Sequence, residues 1–401
     1  MKLTARPAEG DAVEDRPGFD RALAIAPLYL GFAATGVGVA LPGALLPVML
    51  LRWHFQDEQG GRLFLLAWVG SSLGALLVHG SMRTMLFCGS IAVALGAVGL
   101  SFCAGGGADA WMALYGSGLG LTMTSISLIR QRQSGGTGTE LVRLNLLWAI
   151  GACACPSLTI RALTAGDIRP VLCGLALCFV VLAAWTIFET GLTIEAAVAP
   201  TAHPWTIFRA VPAGLIVMTL LITGIEASAG GWLATYARRG GYGVAGAIAA
   251  PSCFWAGLLL SRFFWSVYST WLTHDWTVRA SVALMGGASA VLLASGSGWL
   301  LLLAAFCLGF GIGPTYPLLL AWALRFHRGG AIFFLAGVGS ACLPWLTGFV
   351  STQSHSLRVG LAVPMAATLI MVTLSLLLPL RIWSKQDAAT TTADALSSGS
   401  H

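Results

Sequence analysis

Long apolar runs separated by short polar breaks dominate this chain of 401 residues. Runs such as 22–51, 63–82, 85–103 and 112–129 contain no Asp, Glu, Lys or Arg. About 20 residues, each rising about 1.5 Å, carry a helix across the hydrocarbon core of a bilayer. Hydrocarbon offers no hydrogen bonds, so a backbone inside it must pair with itself. The runs are therefore read as membrane-crossing helices. A closed barrel would need strands of about ten alternating residues, and no such alternation occurs. The pattern predicts twelve spans, over 24–51, 63–82, 85–104, 110–130, 141–163, 168–190, 210–237, 243–265, 277–295, 298–324, 329–350 and 357–381.

The polar breaks divide the chain. A polar tail, 1–23, precedes a first six-helix bundle, 24–192. A linker, 193–209, holds Pro200, His203 and Pro204 and leads to a second bundle, 210–382. A Thr-, Ser- and Ala-rich tail, 383–401, is expected to be disordered. Glu9, Asp11, Glu14, Asp15 and Asp20 make the start unlike a cleavable signal peptide, so the first span is expected to stay. The second span of each half is expected to end in an Arg at the cytoplasmic face, Arg83 and Arg262. Two copies of one six-helix unit around a central cavity are a transporter architecture.

Composition narrows the class further. Only 9% of residues are charged and 57% are hydrophobic, whereas a soluble domain is about 25% charged. With the amino terminus cytoplasmic, fifteen of the 22 Lys and Arg fall on inner segments and seven on outer ones. The positive-inside rule then puts both termini in the cytoplasm, with the protein multi-pass in the inner membrane. The net charge of +6 reflects that loop bias rather than nucleic-acid binding. Nine cysteines, an odd number without metal-type spacing, read as small packing residues. No cofactor and no metal are expected. The seven His are scattered, with no cluster suited to a membrane enzyme. Gly309-x-Gly311-x-Gly313-Pro314 lacks the Lys of a phosphate loop and lies in an apolar run. It reads as a kink around Pro314, and Pro344 reads likewise, both candidate gating points.

Several residues could carry chemistry. Glu226 is the acid placed well inside a span. A charge there is costly, so it must face a cavity, pair with a cation or take up a proton. It is a candidate for substrate binding and for proton or ion coupling. Gly230 and Gly231 follow it, and would either let the span unwind beside a cavity or allow close helix packing. Trp232, Tyr316 and Trp345 offer ring faces for a sugar and N–H or O–H groups for its hydroxyls. Asn145, Trp148 and Thr124 are the first-half candidates, Asn145 supplying both donors and an acceptor. Trp53, Trp111, Trp299 and Trp383 sit at span ends and read as interfacial belt.

Beyond these readings, the chain resembles the major facilitator superfamily. Gly224-Ile225-Glu226 through Gly230-Gly231-Trp232 to Thr235-Tyr236 is similar to the seventh span of the fucose–proton symporter branch, closest to its sodium-dependent glucose transporter-like members. Ser252-Cys253-Phe254-Trp255-Ala256-Gly257 with Arg262, Gly309 to Pro317, and Gly337 to Leu346 look like the eighth, tenth and eleventh spans of that branch. Leu144-Asn145, Trp148 and Gly151-Ala152 are similar to its fifth span. The loop at Gly74–Arg83 lacks the family's usual Asp, and the fucose symporter's acids in the first and fourth spans are missing. The resemblance implies an all-α membrane protein of twelve transmembrane helices in two six-helix bundles, the major facilitator fold. It also implies secondary active transport of a small neutral solute, a hexose first, coupled to a proton or sodium ion through Glu226. No Arg or Lys is expected in mid-span, which favours a neutral substrate. The alternative is proton-coupled efflux of amphipathic compounds, with Glu226 attracting cations. A monomer in membrane lipid is expected.

Overall fold

The computed structural model describes residues 18–134, 138–189, 195–196, 207–268, 273–294, 296–326 and 331–380. The expected tails 1–23 and 383–401 and most of the linker 193–209 lie outside these residues, apart from the first helical turns after Gly18. The first half contains six long helices: α1 (Gly18–Trp53), α2 (Asp57–Leu76), α3 (Met82–Phe102), α4 (Ala108–Gln133), α5 (Gly138–Leu158) and α6 (Arg169–Phe188). The second half repeats the count: α7 (Ala213–Ala237), α8 (Gly243–Tyr268), α9 (His274–Ala294), α10 (Gly298–Phe326), α11 (Ala331–Ser354) and α12 (Ala362–Leu377). Among the described residues, ten stretches are long and apolar enough to cross a membrane. One of them, Ala213–Trp265, contains both α7 and α8. The remaining helix, α2, is polar in its first turn, with Asp57 and Glu58 there.

Two boundaries differ from the sequence pattern for physical reasons. The second span was expected at 63–82 but α2 runs from Asp57 to Leu76. Acidic side chains are favourable in a helix's first turn, and Gln56 and Gln59 form a reciprocal capping box there. The predicted span 141–163 is split. Pro156 lies inside α5, Thr159 donates to the Pro156 carbonyl at 2.7 Å, and a short helix Ile160–Ala165 follows.

Within each half the packing follows one pattern. In the first half α1 packs on α5, α2 and α3 on α4, and α3 on α6. In the second half α7 packs on α11, α8 and α9 on α10, and α9 on α12. The pairs correspond on adding six to each number. The halves meet along α2–α11, α5–α8 and α1–α7.

Close backbone approach makes these pairs possible. A Cβ at Gly36 of α1 would overlap the Trp148 carbonyl of α5, and one at Gly151 would overlap the Ala33 carbonyl in return. The equivalent α7–α11 seam has Gly339 against the Leu220 carbonyl. Small residues at membrane helix interfaces admit such contact, and dispersion then holds the pair where no hydrophobic force acts.

The face that carries the start of α1 is tied by polar contacts. Arg130 at the end of α4 pairs with Glu140 of α5 at 3.0 Å, both side chains 7% exposed. Tyr29 of α1 donates to the same carboxylate at 2.7 Å, and Arg143 adds a contact at 2.8 Å. Arg83 donates through Nε to the Thr186 carbonyl at 2.6 Å and through its guanidinium to Ile187, capping the end of α6. It serves that helix end rather than a charge latch. Gly80–Ser81 pairs antiparallel with Glu195–Ala196 in a two-residue ribbon.

Two outcomes follow from this packing. Gly36→Val should destabilise the detergent-solubilised protein by about 1–3 kcal/mol through overpacking. Gly174→Ala, with open space at its Cβ position, should be neutral or stabilising by up to about 1 kcal/mol. Equal thermal midpoints for the two variants would refute the close-approach account. Glu140 lies just before the membrane-length run Arg143–Ala165. Burial pushes its carboxyl up, but hydrogen bonds from Tyr29 and Arg130 and the charge of Arg130 outweigh this and hold it below the ordinary value of 4.5. A lowered folded-state pKa means that its stabilisation is complete above the ordinary value and fades as the pH falls below it. Glu140→Gln should therefore lower the thermal midpoint at neutral pH and flatten its decline in acid, checked by melts across that range.

Candidate functional site

A cavity of about 340 Å³ lies between the two halves. The first half supplies Val39 and Gly43 of α1, Phe64, Trp68, Ser71, Ser72 and Ala75 of α2, Met123 of α4, and Asn145 and Trp148 of α5. The second half supplies Thr223, Glu226, Ala227, Gly230 and Gly231 of α7, Trp255 and Arg262 of α8, Tyr316 of α10, and Ala336, Gly337 and Ser340 of α11. Ala75 is one residue from the end of α2 and Ala336 is near the start of α11. The cavity thus reaches from mid-bundle toward the face where α1 begins, and Asn145 is exposed along it.

Its shape depends on the α1–α7 crossing. A Cβ at Gly43 would overlap the Gly230 carbonyl and lie 2.9 Å from Gly231 Cα. A Cβ at Gly230 would fall 2.8 Å from the Trp255 ring, and one at Gly231 would fall 2.9 Å from Phe64. The pair therefore seats an aromatic ring from each half beside α7. The helix itself runs unbroken through both glycines, so close packing, rather than unwinding, is their observed use here.

Glu226 faces Arg262. The two side chains are each 16% exposed, and the carboxylate stands 4.0 Å from the guanidinium. The guanidinium carbon lies 5.7 Å from the centroid of the Trp148 ring, which meets Trp255 edge-on at 5.7 Å and 83°. Arg262 was expected at the cytoplasmic end of its span. It lies instead within α8, facing the cavity, because the helix continues to Tyr268. The expectation of no mid-span Arg or Lys is corrected with it.

The structure brings Glu226, Asn145, Trp148 and Tyr316 to one cavity. It does not bring Trp232, Trp345 or Thr124 there. Trp232 is fully buried at the other end of α7, donates to the Pro344 carbonyl at 3.0 Å and meets Phe64 edge-on. Trp345 packs on Phe349, with its backbone against Gly61. Thr124 is half-buried on α4, while its neighbour Met123 lines the cavity. Pro314 and Pro344 lie inside continuous helices. Sequence reasoning missed Arg262, Trp255, Trp68, Thr223 and Ser340. Only Arg262 carried a usable signal, a lone cation inside the apolar run 253–265.

The opposite face is closed by contacts between the halves. Asp57 at the start of α2 accepts two bonds from Arg239, both 2.7 Å, and one from Ser351 of α11 at 2.5 Å. Arg239 belongs to a π-helical turn, Arg238–Tyr242, that joins α7 to α8. The Glu58 amide donates to Thr352 at 2.8 Å, and Gly348 of α11 lies against the Asp57 carbonyl. Arg238 donates to the Leu163 carbonyl at 3.1 Å.

Twelve helices in two bundles of six, meeting at a central cavity, define the major facilitator fold. The nucleoside transporter NupG has this fold. The solved structure of a NupG point mutant matches with a TM-score of 0.71 at 12% identity, covering 88% of this chain and 98% of that one. Another NupG structure matches with a TM-score of 0.65 at 13% identity, over 88% and 96% of the two chains. No protein-family profile matches the chain, and no curated protein matches it in sequence.

Asp57→Asn should loosen the closed face, since the bidentate charge-assisted pair to Arg239 is lost while the helix remains. Amide hydrogen exchange near residues 57–61 and 348–354 should then quicken. Unchanged exchange at both segments would show that the closure does not rest on this pair.

Proposed function

We propose that this protein is a secondary transporter that moves a small neutral, hydroxylated ring solute across the membrane by alternating access. The observation that carries the reading is the cavity, walled by both halves, reaching toward one face and closed at the other. A site of that shape is used by opening its two ends in turn. The bundles 24–192 and 210–382 are the proposed rocking units, with Pro314 and Pro344 as flexible points in α10 and α11.

The lining suits such a solute. Trp68, Trp148, Trp255 and Tyr316 offer ring faces, and Asn145, Ser71, Ser72, Thr223 and Ser340 offer donors and acceptors. The net charge of the Glu226–Arg262 pair is zero, which supports a neutral solute. It also weakens the efflux reading, because the acid that would attract amphipathic cations already faces a cation. The likeness in fold to NupG makes nucleosides the first solutes to test, with hexoses beside them. Glu226 is the proposed coupling group, since a proton or sodium ion could neutralise it while Arg262 stays charged.

The test is uptake of labelled uridine, adenosine and glucose into proteoliposomes under imposed proton or sodium gradients. Accumulation driven by one gradient is expected, together with its loss in Glu226→Gln even where that variant still folds and binds solute. Gradient-driven accumulation that survives in Glu226→Gln would remove this residue from the coupling step. Absence of flux for every solute would defeat the transport reading for this solute class.

A further inference from the structure

We infer that Glu226 and Arg262 form a split clamp that reads a neutral edge of the solute bearing one hydrogen-bond donor beside one acceptor. The inference rests on the proposed reading of the cavity as a solute site. It starts from a contrast among the ion pairs. Asp57–Arg239 closes to 2.7 Å and Arg130–Glu140 to 3.0 Å, hydrogen-bonded as structural pairs are. Glu226 and Arg262 stop at 4.0 Å, beyond hydrogen-bond reach, although both are largely buried. Arg262 Nε is buried without a partner among the described residues. A buried charged pair left short of hydrogen bonds is unfavourable unless something completes it.

Both groups line the cavity, so the completing group can come from the solute. The guanidinium carbon stands over the Trp148 ring at 5.7 Å, and its unpartnered Nε is a donor free for hydrogen bonding. A guanidinium only donates and a carboxylate only accepts. One bound group must therefore accept from Arg262 and donate to Glu226 across the gap. An anion would satisfy the first and repel the second, and a cation the reverse. Two neutral chemistries fit: the N–H and C=O of a lactam edge on a nucleobase, and a pair of vicinal hydroxyls on a sugar ring.

The probes separate these sources. Uridine carries both groups, 3-methyluridine keeps only the diol, and 2′,3′-dideoxyuridine keeps only the lactam edge. Benzoate, a ring anion without a diol or a lactam edge, is the comparison. Binding to the full-length protein in detergent is read as ligand-induced thermal stabilisation. In the native chain, removal of the group that is read should weaken binding about ten- to a hundredfold, the worth of a hydrogen bond to a charged partner. Arg262→Gln should lose that discrimination. Arg262→Lys, which keeps the charge for folding but not the fork, should retain part of it.

Equal discrimination in the native chain and in Arg262→Gln would overturn the clamp, as would tighter binding of benzoate than of uridine, or no binding of any neutral probe. Discriminating binding without uptake would support the clamp while defeating the transport reading. Uptake with discrimination that ignores Arg262 would do the opposite.

Discussion

Backbone-to-backbone approach at glycine is the constraint from which the rest of this structure follows. Inside a bilayer, apolar side chains gain nothing by leaving lipid for one another, so helices are held by contact and by hydrogen bonds. At Gly36, Gly151 and Gly339 any side chain would strike a neighbouring carbonyl. The same contact recurs in both halves, α1–α5 in one and α7–α11 in the other, so a single packing solution is used twice. Gly43 then carries it across the boundary to Gly230 and Gly231, the point at which the two copies touch beside the cavity. A larger residue there would push α1 from α7 and displace Trp255 or Phe64, two of the rings that give the cavity its walls.

The seams between the halves are symmetric in helix number but not in content. The α2–α11 seam holds Asp57, Ser351 and Thr352 in hydrogen bonds near one face. Its counterpart, α5–α8, holds the stacked edge of Trp148 on Trp255. One seam is polar and geometrically specific, whereas the other is aromatic and tolerant of sliding. A specific hydrogen-bonded closure can be made or broken as a unit, while an aromatic contact can persist through small rotations.

Much of this was legible in the sequence, and the failures have physical causes. Apolar runs mark helices because lipid forces the backbone to pair internally, so the span count and the repeat could be read directly. Glu226, Asn145, Trp148 and Tyr316 reach the cavity because polar or amphipathic groups deep in a span have few other places to go. Trp232 lies nearer the closed end and bonds the Pro344 carbonyl, while Trp345 packs on Phe349. Hydropathy gives position along a helix but not the direction a side chain takes around it. Arg262 failed differently: positive charges usually mark span ends, and one inside a helix is assigned to the nearest loop. The start of α2 failed for a related reason, since Asp57 and Glu58 look like loop residues until Arg239 and the helix N-terminus are placed beside them.

Charge placement also sorts the ion pairs by what a rocking motion would do to them. Glu226 and Arg262 both belong to the second half, and Arg130 and Glu140 both belong to the first. Rigid movement of one half against the other leaves these pairs intact. Asp57–Arg239 joins α2 to the α7–α8 turn and would have to part for the closed face to open. Its Arg239 side is about half exposed, at 47%, whereas Asp57 is 8% exposed, so opening must also bring water to the carboxylate. Glu226 and Arg262, each 16% exposed, line the cavity instead. At 4 Å and an effective dielectric of about 20, two unit charges attract by about 4 kcal/mol, which offsets part of the cost of burying both. The pair that joins the halves thus sits at the closed face, and the pair held within one half sits at the cavity.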